Sequence, residues 1–390
     1  MAFELHVWGP AFGLDSIDAE CLAAISLLRH VLAVDSWSLI DSNDPSLSPH
    51  SALPALCHGG TWTSGYANIV AYMKHHSSID RDLTPGQSAD VLAYSSFLAA
   101  RGGGLLALSL YASHSAWSNM TRPAYSNLLP FPLTWTVPLA IRAAALEKAD
   151  HLGLAYLAAE IELDESLDPV ETTSTGFIRL RQSLSPAKAM APEQTAAIRF
   201  RHLAEDFYST LDHLRADKDF LLRDREPPTS LDFLAYGYLS LMHVETPRPV
   251  LKQALVNKHG YLLGLLRQID VRIANATVSR RPPPPRQASS VIVGFASDVL
   301  ENVPGAGEVW RRRRRGDFNH DTSDLDQAAS FISLSVGSAI AGLATIGAAV
   351  FLGGSSPQGA STHRFEPQGE EKTGLQRFGE AGTMLKALRI

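Results

Sequence analysis

Apolar and polar positions alternate from Phe3 to Trp8, the period of a half-buried strand, and Gly9-Pro10 turns the chain. From Asp15 to Val34 the apolar positions are Ile17, Cys21, Ala24, Ile25, Leu28, Val31 and Leu32. That spacing of three and four predicts a helix, with Asp15 or Ser16 as its cap. Trp37 to Ile40 predicts a second strand, parallel to the first because a helix intervenes. Ala52-Leu53-Pro54-Ala55-Leu56 is a short apolar strand led by a proline. Gly59-Gly60 turns it into a small antiparallel strand, Thr61 to Thr63, and Ser64 is the expected cap of a helix to His75. Residues 1–80 thus read β-α-β-β-β-α.

Beyond a connection at Arg81 to Pro85 the period is helical. Pro85 to Tyr111 carries it, weakened by Gly102-Gly103-Gly104. Asn119 to Pro138 holds Pro123, Pro130, Pro132 and Pro138, and predicts no regular helix. Its aromatics Tyr125, Phe131 and Trp135 either fold back as core plugs or form an exposed interaction patch. Leu139 to Leu152 predicts a helix, Asp164 to Glu193 a polar inserted loop, and Thr195 to Leu222 a long amphipathic helix. Val250 to Ala276 adds one or two more. Between them, Leu231 to Met242 has no charge except Asp232, in the first turn. A helix apolar on every side and too short for a bilayer belongs at the centre of a core. Thr229 and Asp232, three apart after Pro227-Pro228, predict a capping box at its start. Residues 81–277 read as an all-helical domain.

The last third changes character. Arg280-Arg281 and four prolines open a stiff basic linker over residues 278–327, which contains Arg311, Arg312, Arg313, Arg314 and Arg315 in a row. From Ala328 to Leu352 there are 25 residues without a charge, long enough for a transmembrane helix. Ser333, Gly337, Ala341, Thr345 and Ala349 recur every fourth position, a small-residue face for packing on another membrane helix. The arginines would stay on the cytosolic side, against anionic headgroups, which leaves the body cytosolic and the tail 353–390 across the membrane.

Composition narrows the function. A chain of 390 residues, 45% hydrophobic, holds two domains or more, and its net charge of −6 argues against a nucleic-acid binder. Cys21 and Cys57 make no disulfide framework and suit a reducing compartment. The opening Met-Ala-Phe-Glu-Leu-His lacks the features of a signal or transit peptide. His202, His213 and His243, and the pair His75-His76, have no second ligand at metal spacing, so neither metal nor cofactor is expected.

The order β-α-β-β-β-α resembles the thioredoxin-like domain of glutathione transferases, and a buried Thr-x-x-Asp helix resembles their C-terminal domain. The expected fold class is therefore α+β and glutathione-transferase-like. The string Pro-Thr-Ser-Leu-Asp-Phe-Leu-Ala-Tyr-Gly-Tyr-Leu ending at Leu239 resembles the metaxin branch more narrowly, as do Thr121-Arg122-Pro123 and Pro130-Phe131-Pro132-Leu133. The linker and anchor resemble the fungal metaxin-like subunit of the mitochondrial sorting and assembly machinery. The resemblance implies a cis Pro54 and a vestigial glutathione position at Ser64. The loop Gly9 to Leu14, where such enzymes place a thiol-activating Tyr, Ser or Cys, has neither hydroxyl nor thiol. It implies a non-catalytic, cofactor-free subunit of the mitochondrial outer membrane that aids folding, insertion and release of β-barrel precursors. Implied partners are the central β-barrel insertase, a second metaxin-like subunit, the precursors and outer-membrane lipids, with no nucleic acid. The rival classes are a membrane-tethered glutathione-binding transferase using Pro54 and Ser64, and a tail-anchored adaptor unrelated to barrel assembly.

Overall fold

A computed structural model describes residues 2–153, 192–224, 227–274 and 278–283. The sequence expectations for the 164–191 part of the inserted loop, the arginine cluster, the membrane span and the tail lie outside these residues. The fold is α+β, a mixed sheet at the N-terminus followed by a mostly helical remainder, and is compatible with a glutathione-transferase-like fold.

Strand β1 (Phe3–His6) pairs in parallel with β2 (Trp37–Ile40), and antiparallel with β3 (Ala55–His58), which pairs antiparallel with β4 (Thr61–Ser64). Helix α1 (Ala19–Val31) makes the β1–β2 crossover, and α2 (Tyr66–His76) follows β4. Phe3, Leu5, Trp37, Leu39 and Leu56 form one apolar face of the sheet, and they share the main core with α1 and α2. The α1 cap is Asp18, which accepts the Cys21 amide at 2.9 Å, rather than Asp15 or Ser16. The helix starts late because Ala11 and Leu14 bond to each other and Ile17 N–H reaches back to the Gly9 carbonyl.

A fifth strand departs from the sequence expectation. Strand β5 (Ser279–Arg281) runs parallel along β2, giving the order β4-β3-β1-β2-β5. The sequence places these residues in a linker. The structure draws them onto the open β2 edge, where Arg280 pairs with Asp41 at 2.9 Å and Arg281 stands 4.0 Å from Glu4.

Helix α3 is a continuous helical run, Pro85–Ala112, partly π-wound. It is long and apolar enough to cross a membrane by length and composition, yet Leu98, Leu105, Leu106 and Leu110 lie in the main core. Its glycines do not break it. A Cβ on Gly102 would stand 3.2 Å from both Phe207 and Tyr238, so the gap is filled by neighbouring rings. The proline-rich stretch is helical too, against the expectation. Helix α4 is Arg122–Leu128 and α5 is Leu133–Ala149. Pro123 sits in a first turn, where no amide is needed; Pro130 and Pro132 occupy the turn between; only Pro138 lies inside a helix.

Helix α6 (Pro192–Arg215) ends seven residues before the expected Leu222, with Ala216 at φ +47° and the Arg215 guanidinium turned onto the Lys218 and Tyr261 carbonyls. Helix α7 (Ser230–Met242) is the centre: every residue except Tyr236 is buried. Helices α8 (Val250–Lys258) and α9 (Gly260–Ile273) close the helical part.

Candidate functional site

The positions singled out by the resemblance are the loop after β1, the proline before β3 and the start of the helix after β4. Gly9 N–H donates to Asn43 Oδ1 at 2.7 Å, which locks the first of these segments. A cleft of about 540 Å³ opens beside it, lined among others by Pro10, Leu14, Arg29, Tyr236 and Asp270. Its polar groups answer one another: Arg29 bonds Asp15 at 2.6 Å, and the Tyr236 hydroxyl donates to Asp270 at 2.6 Å. Cys21 is fully buried; burial and the neighbouring Asp18 push its thiol well above the ordinary range, which suppresses the nucleophilic thiolate.

The Leu53–Pro54 bond is cis, and the Pro54 carbonyl accepts the Gly65 amide at 2.8 Å. Ser64 ends β4 instead of capping α2; the cap is Gly65. The Ser64 hydroxyl is buried and has no hydrogen-bond partner among the described residues. At the α2 N-terminus the Tyr66 amide donates to Glu20 Oε2 at 3.3 Å. Burial raises the Glu20 carboxyl, and the nearby Asp18 charge adds to it. A helix N-terminus that attracts anions therefore already holds one from its own chain.

The start of α7 is knit to the N-terminal sheet domain. The Asp232 carboxylate, fully buried, accepts Thr229 N–H and Thr229 Oγ1, each at 2.7 Å, and Leu221 N–H at 2.8 Å. The Asp232 amide goes to the Thr229 carbonyl at 3.1 Å. Burial raises the Asp232 carboxyl against these bonds, which lower it. Asp80 takes Ser230 N–H at 2.9 Å and Ser230 Oγ at 2.5 Å, with Lys74 at 3.4 Å, and the Tyr66 hydroxyl donates to the Ser230 carbonyl at 2.6 Å. Sequence reasoning missed Asp80 and Glu20. Their partners lie far along the chain, and no local spacing marks them.

The three aromatics of the proline-rich stretch divide. Tyr125 is buried, its hydroxyl 2.9 Å from that of Tyr111 and its ring edge-to-face with Trp8. Phe131 and Trp135 are 65% and 60% exposed, edge-to-face at 5.1 Å, and Leu139, one turn along α5, is 51% exposed. Among the described residues, no three His, Cys, Asp or Glu side chains are placed to hold a metal ion.

Residues 21–142 match the family model Tom37, described as an outer mitochondrial membrane transport complex protein. The chain is 29% identical over 167 residues to metaxin-1 of Macaca fascicularis, covering 42% of this chain and 52% of that protein. It is 28% identical over 207 residues to metaxin-1 of Mus musculus, covering 52% and 64%. Against metaxin-3 of Xenopus laevis it is 29% identical over 146 residues, covering 37% and 47%. The matches thus span from about half to under two thirds of these relatives' lengths. Over residues 21–142 the chain is thus similar to an outer mitochondrial membrane transport complex family, and over the matched stretches it is similar to metaxins.

Proposed function

We propose that this chain is a non-catalytic accessory subunit of the mitochondrial outer-membrane machinery that sorts and assembles β-barrel proteins. Its body faces the cytosol, Ala328–Leu352 anchors it, and its partners are the central barrel insertase and a second metaxin-like subunit. It acts as a scaffold while β-barrel precursors fold, insert and are released.

One observation carries the reading: the ligand end of the fold is filled by the chain itself. Glu20 occupies the α2 N-terminus, and loop 9–14 presents no thiol-activating group. A glutathione carboxylate there would meet a carboxylate. What the body does offer to the outside is the uncharged Phe131–Trp135–Leu139 face, suited to a protein partner.

The test is a gentle-detergent pull-down of the tagged chain from mitochondria, as wild type and as Phe131→Ser/Trp135→Ser. Recovery of the barrel insertase and a second metaxin-like protein by the wild type, reduced several-fold by the double substitution, is the expected result. Recovery of neither, with the chain held on a glutathione column, would overturn it in favour of a tethered transferase.

A further inference from the structure

Two histidines meet beside a tyrosine where β3 passes α2. Strand β3 ends at His58 and α2 ends at His76. The register sets His58 opposite Phe3 of β1, and the two rings stack with centroids 3.9 Å apart, which fixes the plane of the imidazole. His58 Nδ1 stands 2.9 Å from the Tyr72 hydroxyl. Tyr72 and His76 are four positions apart on α2, so they share one face of the helix, and their rings lie 4.6 Å apart. The His76 ring in turn lies 5.3 Å from that of His58. His58 and Tyr72 are half-buried and His76 is exposed. Three rings that carry nitrogen or oxygen donors therefore converge at an opening to solvent, where burial of apolar surface does not dictate the choice of residue.

We propose that His58, Tyr72 and His76 form a binding site for a divalent transition-metal ion of the Zn²⁺ class. A tetrahedral ion that holds two imidazole nitrogens at about 2.0–2.1 Å sets their ring centroids about 5 Å apart, and the His58 and His76 rings are 5.3 Å apart. A nitrogen and an oxygen on one such ion stand about 3 Å apart, and His58 Nδ1 and the Tyr72 oxygen are 2.9 Å apart. The ion takes the place of the proton between that nitrogen and the hydroxyl, and the proton passes to solvent. Two imidazoles with one oxygen suit Zn²⁺, with Cu²⁺ as the competitor. The backbone agrees with the charge: His76 is the last residue of α2, where the helix dipole favours a cation. The exposed side of His76 gives the ion a way in and leaves a fourth position for water. The third donor is a tyrosine one turn before His76 and the first comes from a strand, so histidine spacing along the chain does not mark the site. A bound ion staples the end of β3 to the last turn of α2 and so stabilises the N-terminal sheet domain.

The test is a titration of the full chain in detergent, stripped with a chelator, with Zn²⁺ alone in competition with a chromogenic chelator. The expected result is one equivalent bound per chain by the wild type, with an affinity lowered about ten-fold or more by His76→Gln and by His58→Gln, and unchanged by His75→Gln. His75 is the control because it is an exposed imidazole beside His76 on the same helix end. His76 is itself exposed, so His76→Gln leaves the fold intact and decides the matter even if His58→Gln perturbs packing. Co²⁺ in place of Zn²⁺ should show the visible absorption of a tetrahedral ion in the wild type, lost in His76→Gln and altered in Tyr72→Phe. No stoichiometric uptake by the wild type would overturn the proposal. Uptake that His76→Gln leaves unchanged would overturn it in favour of an adventitious ion only, spread over the 14 histidines of the chain. A loss in His75→Gln equal to that in His76→Gln would overturn it in favour of a site formed by the helix end alone.

Discussion

Gly237 lies where α7 crosses α1 at backbone distance. A Cβ built there would stand 3.0 Å from the Ala23 amide nitrogen and 3.1 Å from the Ala19 carbonyl carbon, with the Ala19 oxygen closer still. All three are backbone atoms of a helix, so no side chain can swing aside. Relaxed contacts lie at about 3.5–4.0 Å for carbon and a little less for oxygen, and the Ala19 oxygen sets the limit, so Gly237→Ala must part the helices by roughly 1 Å. A gap of that size forfeits about a quarter to a half of each dispersion contact along the seam. The seam includes Ala19, Ala23 and Phe233, all in the main core. Overpacking of this kind costs about 1–3 kcal/mol, and the rigid neighbours put this site at the upper end. Replacing a mid-helix glycine by alanine returns about 1 kcal/mol of helix propensity. The net expectation is a loss of about 2 kcal/mol, read as a lower urea midpoint at unchanged slope in the detergent-solubilised full chain. Gly260→Ala is the control. It opens α9, a Cβ there meets nothing within 4 Å, and the change should stabilise by up to about 1 kcal/mol. A Gly237→Ala protein as stable as wild type would refute the close crossing.

Asp232→Ala strands three buried donors, Leu221 N–H, Thr229 N–H and Thr229 Oγ1, and should cost about 3 kcal/mol or more in the same titration. Ser230→Ala removes only the hydroxyl bond to Asp80 and should cost about 1–2 kcal/mol, less than Asp80→Ala, which also frees the Ser230 amide. Glu20 has its carboxyl raised by burial, so over the pH range just above the ordinary glutamate value the folded chain binds more protons than the unfolded one, and this contribution to stability falls as pH rises. Glu20→Gln should flatten that fall in urea melts over the pH range just above the ordinary glutamate value; an unchanged slope would place the titration elsewhere. Arg280→Glu should lift β5 from the sheet, seen as faster hydrogen exchange in β2, because the new carboxylate faces Asp15 and Asp41.

Much of the fold is legible in the sequence because its signals are local. The strands, the α1 and α2 spacings and the uncharged run ending at Met242 are periodic over a few residues, and burial follows that period. Where the sequence misleads, the competing term is local in another sense. Four prolines argue against helix between Asn119 and Pro138, yet three of them fall in first turns or turns, where a missing amide is harmless. Asp15 and Ser16 look like the α1 cap, but the bridge between Ala11 and Leu14 delays the helix to Asp18.

The candidate site divides along the same line. That loop 9–14 has no thiol-activating group, that Thr229 and Asp232 open a core helix, and that Pro54 precedes a strand can be read from residue identity and spacing alone. Three facts had to wait for tertiary structure. Glu20 meets Tyr66 across 46 positions, Asp80 meets Ser230 across 150, and Arg280 meets Asp41 across 239. Contacts between residues so far apart have no period in the chain. Whether Tyr125 turns in while Phe131 and Trp135 turn out is likewise decided by which neighbours fill the space, Trp8 and Tyr111 in the first case and solvent in the second. Sequence periodicity determines which face of each element is apolar; only the assembled fold determines which faces find a cover.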